Sequence, residues 1–226
     1  MSKYFTLYTS AELICFITAL VCLLSVKERY WRFFIAFMFL TCLVEFVATP
    51  LKEMYKADPK PENSNAWIYN LLLLLQIGTF LMMFYNLIGK YIQSKIIIFT
   101  GLVILLSLYG YELLTNQHGF YDYNVLTYSA LSVIMILYSL YYYYLLLNKE
   151  EYTDLKALPE FWWTTGILFF FFGTTAINLF YRLLVSVSVS AVNTMYIFYI
   201  NNILIVILYG CWTYAFICKR WMTSNK

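Results

Sequence analysis

The sequence predicts an all-α protein that crosses a membrane seven times. Three observations predict this fold class: a very apolar composition, seven long apolar runs, and basic residues that fall mostly on alternate loops. Of the 226 residues, 62% are hydrophobic and 12% are charged, and the mean hydropathy is +0.69. Soluble domains are roughly 45–50% apolar and about 25% charged. The composition therefore excludes a soluble fold.

Each apolar run is long enough for a transmembrane helix, because about 20 residues cross the ~30 Å hydrocarbon core. None alternates as a barrel strand would, and each is bounded by charged residues, Pro or Asn. The first run is interpreted as a retained helix, because it is longer than the apolar part of a signal peptide. The predicted helices, in one domain spanning 1–226, are Phe5–Ser25, Trp31–Ala48, Ala66–Ile88, Ile96–Leu114, Asn124–Leu147, Phe161–Leu184 and Asn193–Ile217.

The basic residues predict the orientation. Ten of the 15 Lys and Arg residues lie in the loops after the first, third and fifth predicted helices and in the C-terminal tail. Cytoplasmic loops carry the excess of Lys and Arg. We therefore expect the N-terminus outside and the C-terminus in the cytoplasm, with the chain a multi-pass protein of the inner (plasma) membrane.

Two further features follow from this orientation. The segment Thr49–Ser64 contains three prolines and is predicted to be an outer loop, either a plain connector or a lid. Tryptophans near the predicted helix ends are interpreted as aromatic belts at the membrane interfaces. They are Trp31, Trp67, Trp162, Trp163, Trp212 and Trp221.

Polar side chains inside the spans are the candidate site, because ionisable residues are costly in a bilayer and mark functional positions. Their depth, counted at 1.5 Å per residue, puts them in the outer half or at its floor. The inner half carries no charge, so the sequence predicts a polar pocket open to the outside above an apolar plug. Its candidate residues are Glu45, Asn70, Gln76, Glu112, Asn178, Arg182, Asn201 and Asn202.

A purely structural interpretation stands beside this one. Arg182 faces up to three carboxylates, those of Glu12, Glu45 and Glu112, and in this interpretation it forms a structural ion pair with Glu45 or with Glu112. The Asn and Gln side chains would then bridge helices by hydrogen bonds. Glu12 lies near a helix end, where simple solvation at the interface explains it. Gly166 and Gly173 share one helix face and predict close approach of a neighbouring helix.

The absence of several sequence motifs excludes some classes of binding site and catalytic chemistry. The chain has no phosphate-binding G-x-x-x-x-G-K-[ST] motif and no G-x-S-x-G motif. The single histidine, His118, lies in a loop without a metal-binding motif around it. No lysine lies in the middle of a span, so a retinal Schiff base is excluded. These absences predict no metal and no cofactor and weigh against an enzyme, and the scattered basic residues do not suit nucleic acid.

Three stretches resemble an uncharacterised family of short seven-helix membrane proteins from Bacteroidota. They are Asn65–Asn86 (NAWIYNLLLLLQIGTFLMMFYN), Glu160–Thr175 (EFWWTTGILFFFFGTT) and Asn201–Trp212 (NNILIVILYGCW). Members of that family are often encoded near sensor histidine kinases, so the resemblance implies a signalling role. The family pattern leads one to expect an acid in the middle of the third helix, where this chain has Gln76.

These observations favour a sensor or receptor-like subunit whose outer pocket binds a small ligand. Because the loops are short, such a protein would signal through a cytoplasmic or membrane partner. A small-solute transporter is the first alternative, since a carrier needs a polar site near the midplane. An oligomeric pore or accessory membrane protein, for example of a defence system, is the second. The expected partners are the lipid bilayer, the signalling protein and further copies of the chain.

Overall fold

The described part of the chain is entirely helical apart from its turns and loops. A computed structural model describes the backbone of residues 6–149, 154–185 and 191–224, and the side chains of residues 6–149, 154–177 and 199–223. Within these ranges the seven predicted helices are confirmed as helices. They are α1 Leu7–Leu23, α2 Arg29–Ala57, α3 Ala66–Ile88, α4 Lys95–Thr115, α5 Val125–Leu147, α6 Pro159–Val185 and α7 Ala191–Ser224.

The predicted outer loop Thr49–Ser64 is wrong over its first half, because α2 continues through Pro50 to Ala57. Proline removes one helical hydrogen bond and usually ends a helix. Here the residues that follow it, LKEMYKA, are mostly strong helix formers. Pro50 is also exposed. The connection to α3 is therefore short, and a 3-10 turn at Pro61–Asn63 forms part of it.

Five helical segments are long and apolar enough to cross a membrane, judged by length and composition among the described residues. The described part of α7 is one of them, and α1, with 17 residues, is shorter. The segments are Arg29–Ala57, Ala66–Ile88, Lys95–Thr115, Val125–Leu147 and Tyr199–Thr223.

The chain divides into two compact units. Unit 1 consists of residues 1–26 and 135–226, and unit 2 consists of residues 27–134. The long helix α5 contributes residues to both units. The single seven-helix domain predicted from the sequence stays a prediction.

Unit 1 is built around α7, which packs against α1 and α6. Gly166 of α6 lies so close to α7 that an added Cβ would be 3.0 Å from Cβ of Cys211 and 3.2 Å from the backbone oxygen of Leu208. An added Cβ on Gly173 would be 2.6 Å from the Leu204 side chain. The predicted close approach at these two glycines is confirmed.

Three tryptophans predicted to form interfacial belts belong instead to the packed interior. Trp31, Trp163 and Trp212 are each at most 1% exposed. Trp163 and Trp212 stack on one another in unit 1, with ring centroids 6.1 Å apart. The belt interpretation is therefore wrong for these three, because rings buried between helices do not reach lipid headgroups. Trp221, by contrast, is 66% exposed.

Unit 2 is built around α3, which contacts α2 and α4. Phe37 of α2 and Phe80 of α3 meet edge to face, with centroids 5.7 Å apart. Closer to the start of α3, Val44 and Ala48 pack with Ile68 and Leu72. This packing fixes the C-terminal half of α2 beside the first turns of α3, where polar side chains gather.

Candidate functional site

Polar side chains collect in the part of unit 2 where α4 ends and α3 and α5 begin, beside the middle of α2. Three of the predicted site residues lie there: Glu45 on α2, Asn70 on α3 and Glu112 on α4. Hydrogen bonds tie Asn70 to the α4–α5 connection, Glu112 to the start of α5, and Glu45 to α3. We call this group of residues the polar end of unit 2.

Glu112 caps the N-terminus of α5. One carboxylate oxygen accepts the backbone N–H of Leu126 at 2.7 Å, and the other accepts the backbone N–H and the hydroxyl of Thr127 at 2.8 and 2.6 Å. First-turn N–H groups have no partner within their own helix, and a helix N-terminus favours negative charge. Glu112 is 6% exposed. Both oxygens of the Glu112 side chain thus have their hydrogen-bond partners at the start of α5.

Asn70 anchors the α4–α5 connection to α3. Its amide nitrogen donates to the backbone oxygens of Phe120 and Asp122 at 3.0 and 2.8 Å, and its amide oxygen accepts the N–H of Asn124 at 3.2 Å. The side chain is 2% exposed. Both donor positions of the amide are therefore used inside the protein, and no donor remains for a ligand.

Contacts between His118 and Asp122 close a turn within the α4–α5 connection. The backbone N–H of His118 donates to one Asp122 oxygen at 3.0 Å, and the imidazole Nδ1 lies 3.2 Å from the other. The hydrogen bond from the His118 backbone holds the pKa of Asp122 below its usual value. The one histidine of the chain thus shapes a turn.

Glu45 is more accessible than Glu112 and Asn70. Its side chain is half-buried, and one carboxylate oxygen accepts the hydroxyl of Tyr69 at 3.1 Å. The second oxygen has no hydrogen-bond partner among the described residues, and it is not sealed from solvent. A carboxylate oxygen that is reachable and unused can accept a hydrogen bond from a ligand.

Two tyrosines lie near this carboxylate. The rings of Tyr69 and Tyr123 lie 6.2 Å apart at an angle of 38°, and the Tyr123 hydroxyl donates to the side-chain oxygen of Asn65. Burial, assisted by the charge of Glu45, raises the pKa of the Tyr123 phenol. The phenol therefore stays protonated at neutral pH and keeps its donor hydrogen.

The remaining predicted residues are not joined to this group. Gln76 is half-buried on α3 and makes no hydrogen bond among the described residues. The same holds for Asn201 and Asn202, which are half-buried on α7 in unit 1. The side chains of Asn178 and Arg182 lie outside the described residues. The predicted ion pair between Arg182 and a glutamate stays a prediction.

The environment of Glu12 differs from the predicted solvation at the membrane interface. It is 3% exposed on α1 in unit 1, so solvation at an interface does not describe it. The α1 helix begins with a capping box in which Thr6 and Thr9 exchange side-chain and backbone hydrogen bonds. Glu12 lies in the turn that follows and is buried within the unit.

Sequence reasoning missed Tyr69, Tyr123 and Thr127. The chain has 23 tyrosines, so no single one stands out by type. One signal was present for Thr127: it lies three residues after Asn124, at the start of a helix, where orphan N–H groups attract an acid. Tyr69 directly precedes Asn70, and no pattern in the sequence distinguishes it.

The described residues contain no group of three or more His, Cys, Asp or Glu side chains that could hold a metal ion. Comparisons of the chain with protein-family models, with curated proteins and with solved structures give no match. The function proposed below therefore rests on the geometry of the polar end of unit 2.

Proposed function

We propose that the chain is a receptor-like subunit of the inner membrane that binds a small polar ligand beside Glu45 and signals through a partner protein. The observation that supports this is the unused, reachable oxygen of the Glu45 carboxylate near the rings of Tyr69 and Tyr123. Glu112 and Asn70 stabilise the surrounding helix ends. They would hold the site in shape without touching the ligand.

The chemistry of the site favours a ligand that carries an amino group. A carboxylate accepts charge-assisted hydrogen bonds from an ammonium group, and tyrosine rings attract cations through their faces. Tyr69 is the fourth residue of α3, and Tyr123 lies two residues before α5. The two tyrosines are thus near helix ends. A receptor suits that position better than a carrier, which needs a site near the midplane reachable from both sides.

A binding measurement tests this proposal. In mild detergent, phenethylamine is expected to raise the melting temperature of the natural chain, and acetate is not. Glu45→Gln should abolish the rise, because the amide loses the charge that attracts the ammonium group. Glu53→Gln is the matched control on the same helix, since Glu53 is an exposed acid that lies 3.8 Å from Lys56. Equal shifts in the two variants would contradict the proposal.

The proposed orientation puts all seven helices across the membrane, with the N-terminus and the polar end of unit 2 outside. Cysteine labelling with a membrane-impermeant reagent tests it. Glu62 and Gln93 are exposed and lie at opposite ends of α3. A cysteine replacing Glu62 should react in intact cells, and one replacing Gln93 only after permeabilisation. The unaltered chain, with its five cysteines, gives the background. The reverse pattern would put the Glu45 site on the cytoplasmic side.

A further inference from the structure

The surface between α3 and α4 carries an apolar groove that neither the fold nor the proposed receptor site explains. Its volume is about 600 Å³, and it lies at the end of unit 2 away from Glu45. Its walls include Leu81 and Met82 of α3 and Phe99 of α4. Phe99 is 65% exposed. Such a groove needs an apolar occupant.

Gly78 leaves the floor of the groove open. A Cβ built on this glycine would have no heavy atom of the described residues within 4 Å, so the missing side chain serves no contact between helices. Gly166, in unit 1, shows the opposite situation, because a side chain there would collide with α7. The space above Gly78 is thus available to a molecule other than the protein.

A second cavity, of about 660 Å³, continues the groove at the α3–α4 connection. Tyr85 and Lys95 line both cavities. The first cavity is almost entirely apolar, whereas the second has a mixed polar and apolar lining that includes Asn86, Lys90 and Gln93. Among the described residues, no acidic side chain lines either cavity. The combined site is therefore apolar along one stretch and positively charged at its end.

The positive end is also held in place by a hydrogen bond. The hydroxyl of Ser94 donates to the backbone oxygen of Tyr85 at 2.9 Å, which ties the connection to the last turns of α3. Lys95 is the first residue of α4, so its charge adds to the partial positive charge of that helix N-terminus. Phosphate groups bind well at such termini.

The length and charge of the site favour a particular occupant. The apolar groove follows α3 from Gly78 to Tyr85, a rise of about 10 Å. This is about a third of the ~30 Å hydrocarbon core, so the groove accommodates part of the acyl chain of a lipid in one leaflet. An apolar groove of this length that ends at cationic side chains matches a membrane lipid with a phosphate headgroup.

We propose that this α3–α4 groove binds an anionic glycerophospholipid, with an acyl chain over Gly78 and the phosphate headgroup beside Lys95. The site is separate from Glu45, and it does not depend on the receptor role or on which leaflet faces the cytoplasm. The bound lipid would fill the open side of the α3–α4 pair and stabilise it.

Lipid titration followed by native mass spectrometry tests the proposal. Purified protein in mild detergent is expected to bind one phosphatidylglycerol per chain in preference to phosphatidylcholine with the same acyl chains. Lys95→Gln should weaken phosphatidylglycerol binding about fivefold, the effect of one basic residue near an anionic headgroup. Gly78→Leu should weaken binding of both lipids at least about tenfold, since it excludes several methylene groups from the groove.

Gly110→Leu is the matched control for Gly78→Leu, because a side chain at Gly110 of α4 also meets no atom of the described residues within 4 Å. It should fold and bind lipid like the natural chain. Equal binding of the two lipids to the natural chain would overturn the headgroup assignment. If Gly78→Leu bound both lipids as well as the natural chain does, the acyl chain would not lie in the groove over Gly78. Inorganic phosphate should not displace the lipid; if phosphate alone displaced it, the site would be an anion site and not a lipid site.

Discussion

Glu112→Ala is expected to lower the free energy of unfolding by about 3 kcal/mol, in line with the loss of hydrogen bonds to a buried charged group. The substitution removes the acceptor for two backbone N–H groups and one hydroxyl at the start of α5. Thr127 is fully buried, so water cannot replace the lost partner without a rearrangement. Thermal denaturation in mild detergent measures the loss as a lower melting temperature.

Two further variants separate the cap from the loss of charge alone. Glu112→Gln keeps one acceptor oxygen, so it should lose only part of the stability that Glu112→Ala loses. Glu62→Ala removes an exposed acid from the α2–α3 connection and should change the melting temperature little. If Glu112→Ala melted at the same temperature as Glu62→Ala, the cap on α5 would not contribute to the stability of the protein.

The seven helices were predictable from the sequence because each corresponds to a long apolar run, and five of them have the length and composition of a membrane span among the described residues. Most boundaries agree within two residues, since Lys, Asn and Pro mark the places where the runs stop. The clearest exceptions are the C-termini of α2 and α7, which continue beyond the apolar run. Helix formers after Pro50 extend α2, and hydropathy alone does not register them.

Burial was much less predictable than helix position. Lipid is as apolar as a protein interior, so a buried face and a lipid-facing face carry similar residues. Trp163 and Trp212 stack in the interior of unit 1, whereas Trp221 is exposed. All three lie near predicted helix ends. Only the packing of α6 against α7 distinguishes them, and that depends on the close approach at Gly166.

Three residues of the polar end of unit 2 stood out in the sequence, and their partners did not. Depth along each helix identified Glu45, Asn70 and Glu112 as unusual, because polar groups inside a span need partners. Those partners are the backbone of the α4–α5 connection and a tyrosine hydroxyl. Backbone groups are not visible in a residue pattern. The sequence therefore predicts an arginine as the partner of a buried carboxylate. For Glu112, the partner in the structure is the N-terminus of α5.

Asn70→Asp is expected to destabilise the protein more than Asn70→Ala, although aspartate has nearly the same shape as asparagine. In the natural chain the amide nitrogen donates to two backbone oxygens, those of Phe120 and Asp122. A carboxylate would turn an oxygen toward both of them in a site that is 2% exposed. A buried charge without a partner costs about 3–5 kcal/mol. Asn70→Ala only loses its hydrogen bonds and should cost about 2–3 kcal/mol.

The pH dependence of the two variants provides the sharper measurement. Burial favours the neutral form of a carboxyl group, and the protonated carboxyl group of the Asn70→Asp variant regains one donor for the two backbone oxygens. The melting temperature of Asn70→Asp should therefore rise toward that of Asn70→Ala or above it as the pH falls, relative to the natural chain at each pH. Asn148→Asp, the same change at an exposed position, should show no such recovery. A pH-independent gap between Asn70→Asp and Asn70→Ala would mean that the carboxylate reaches water, and that Asn70 does not seal the α4–α5 connection onto α3.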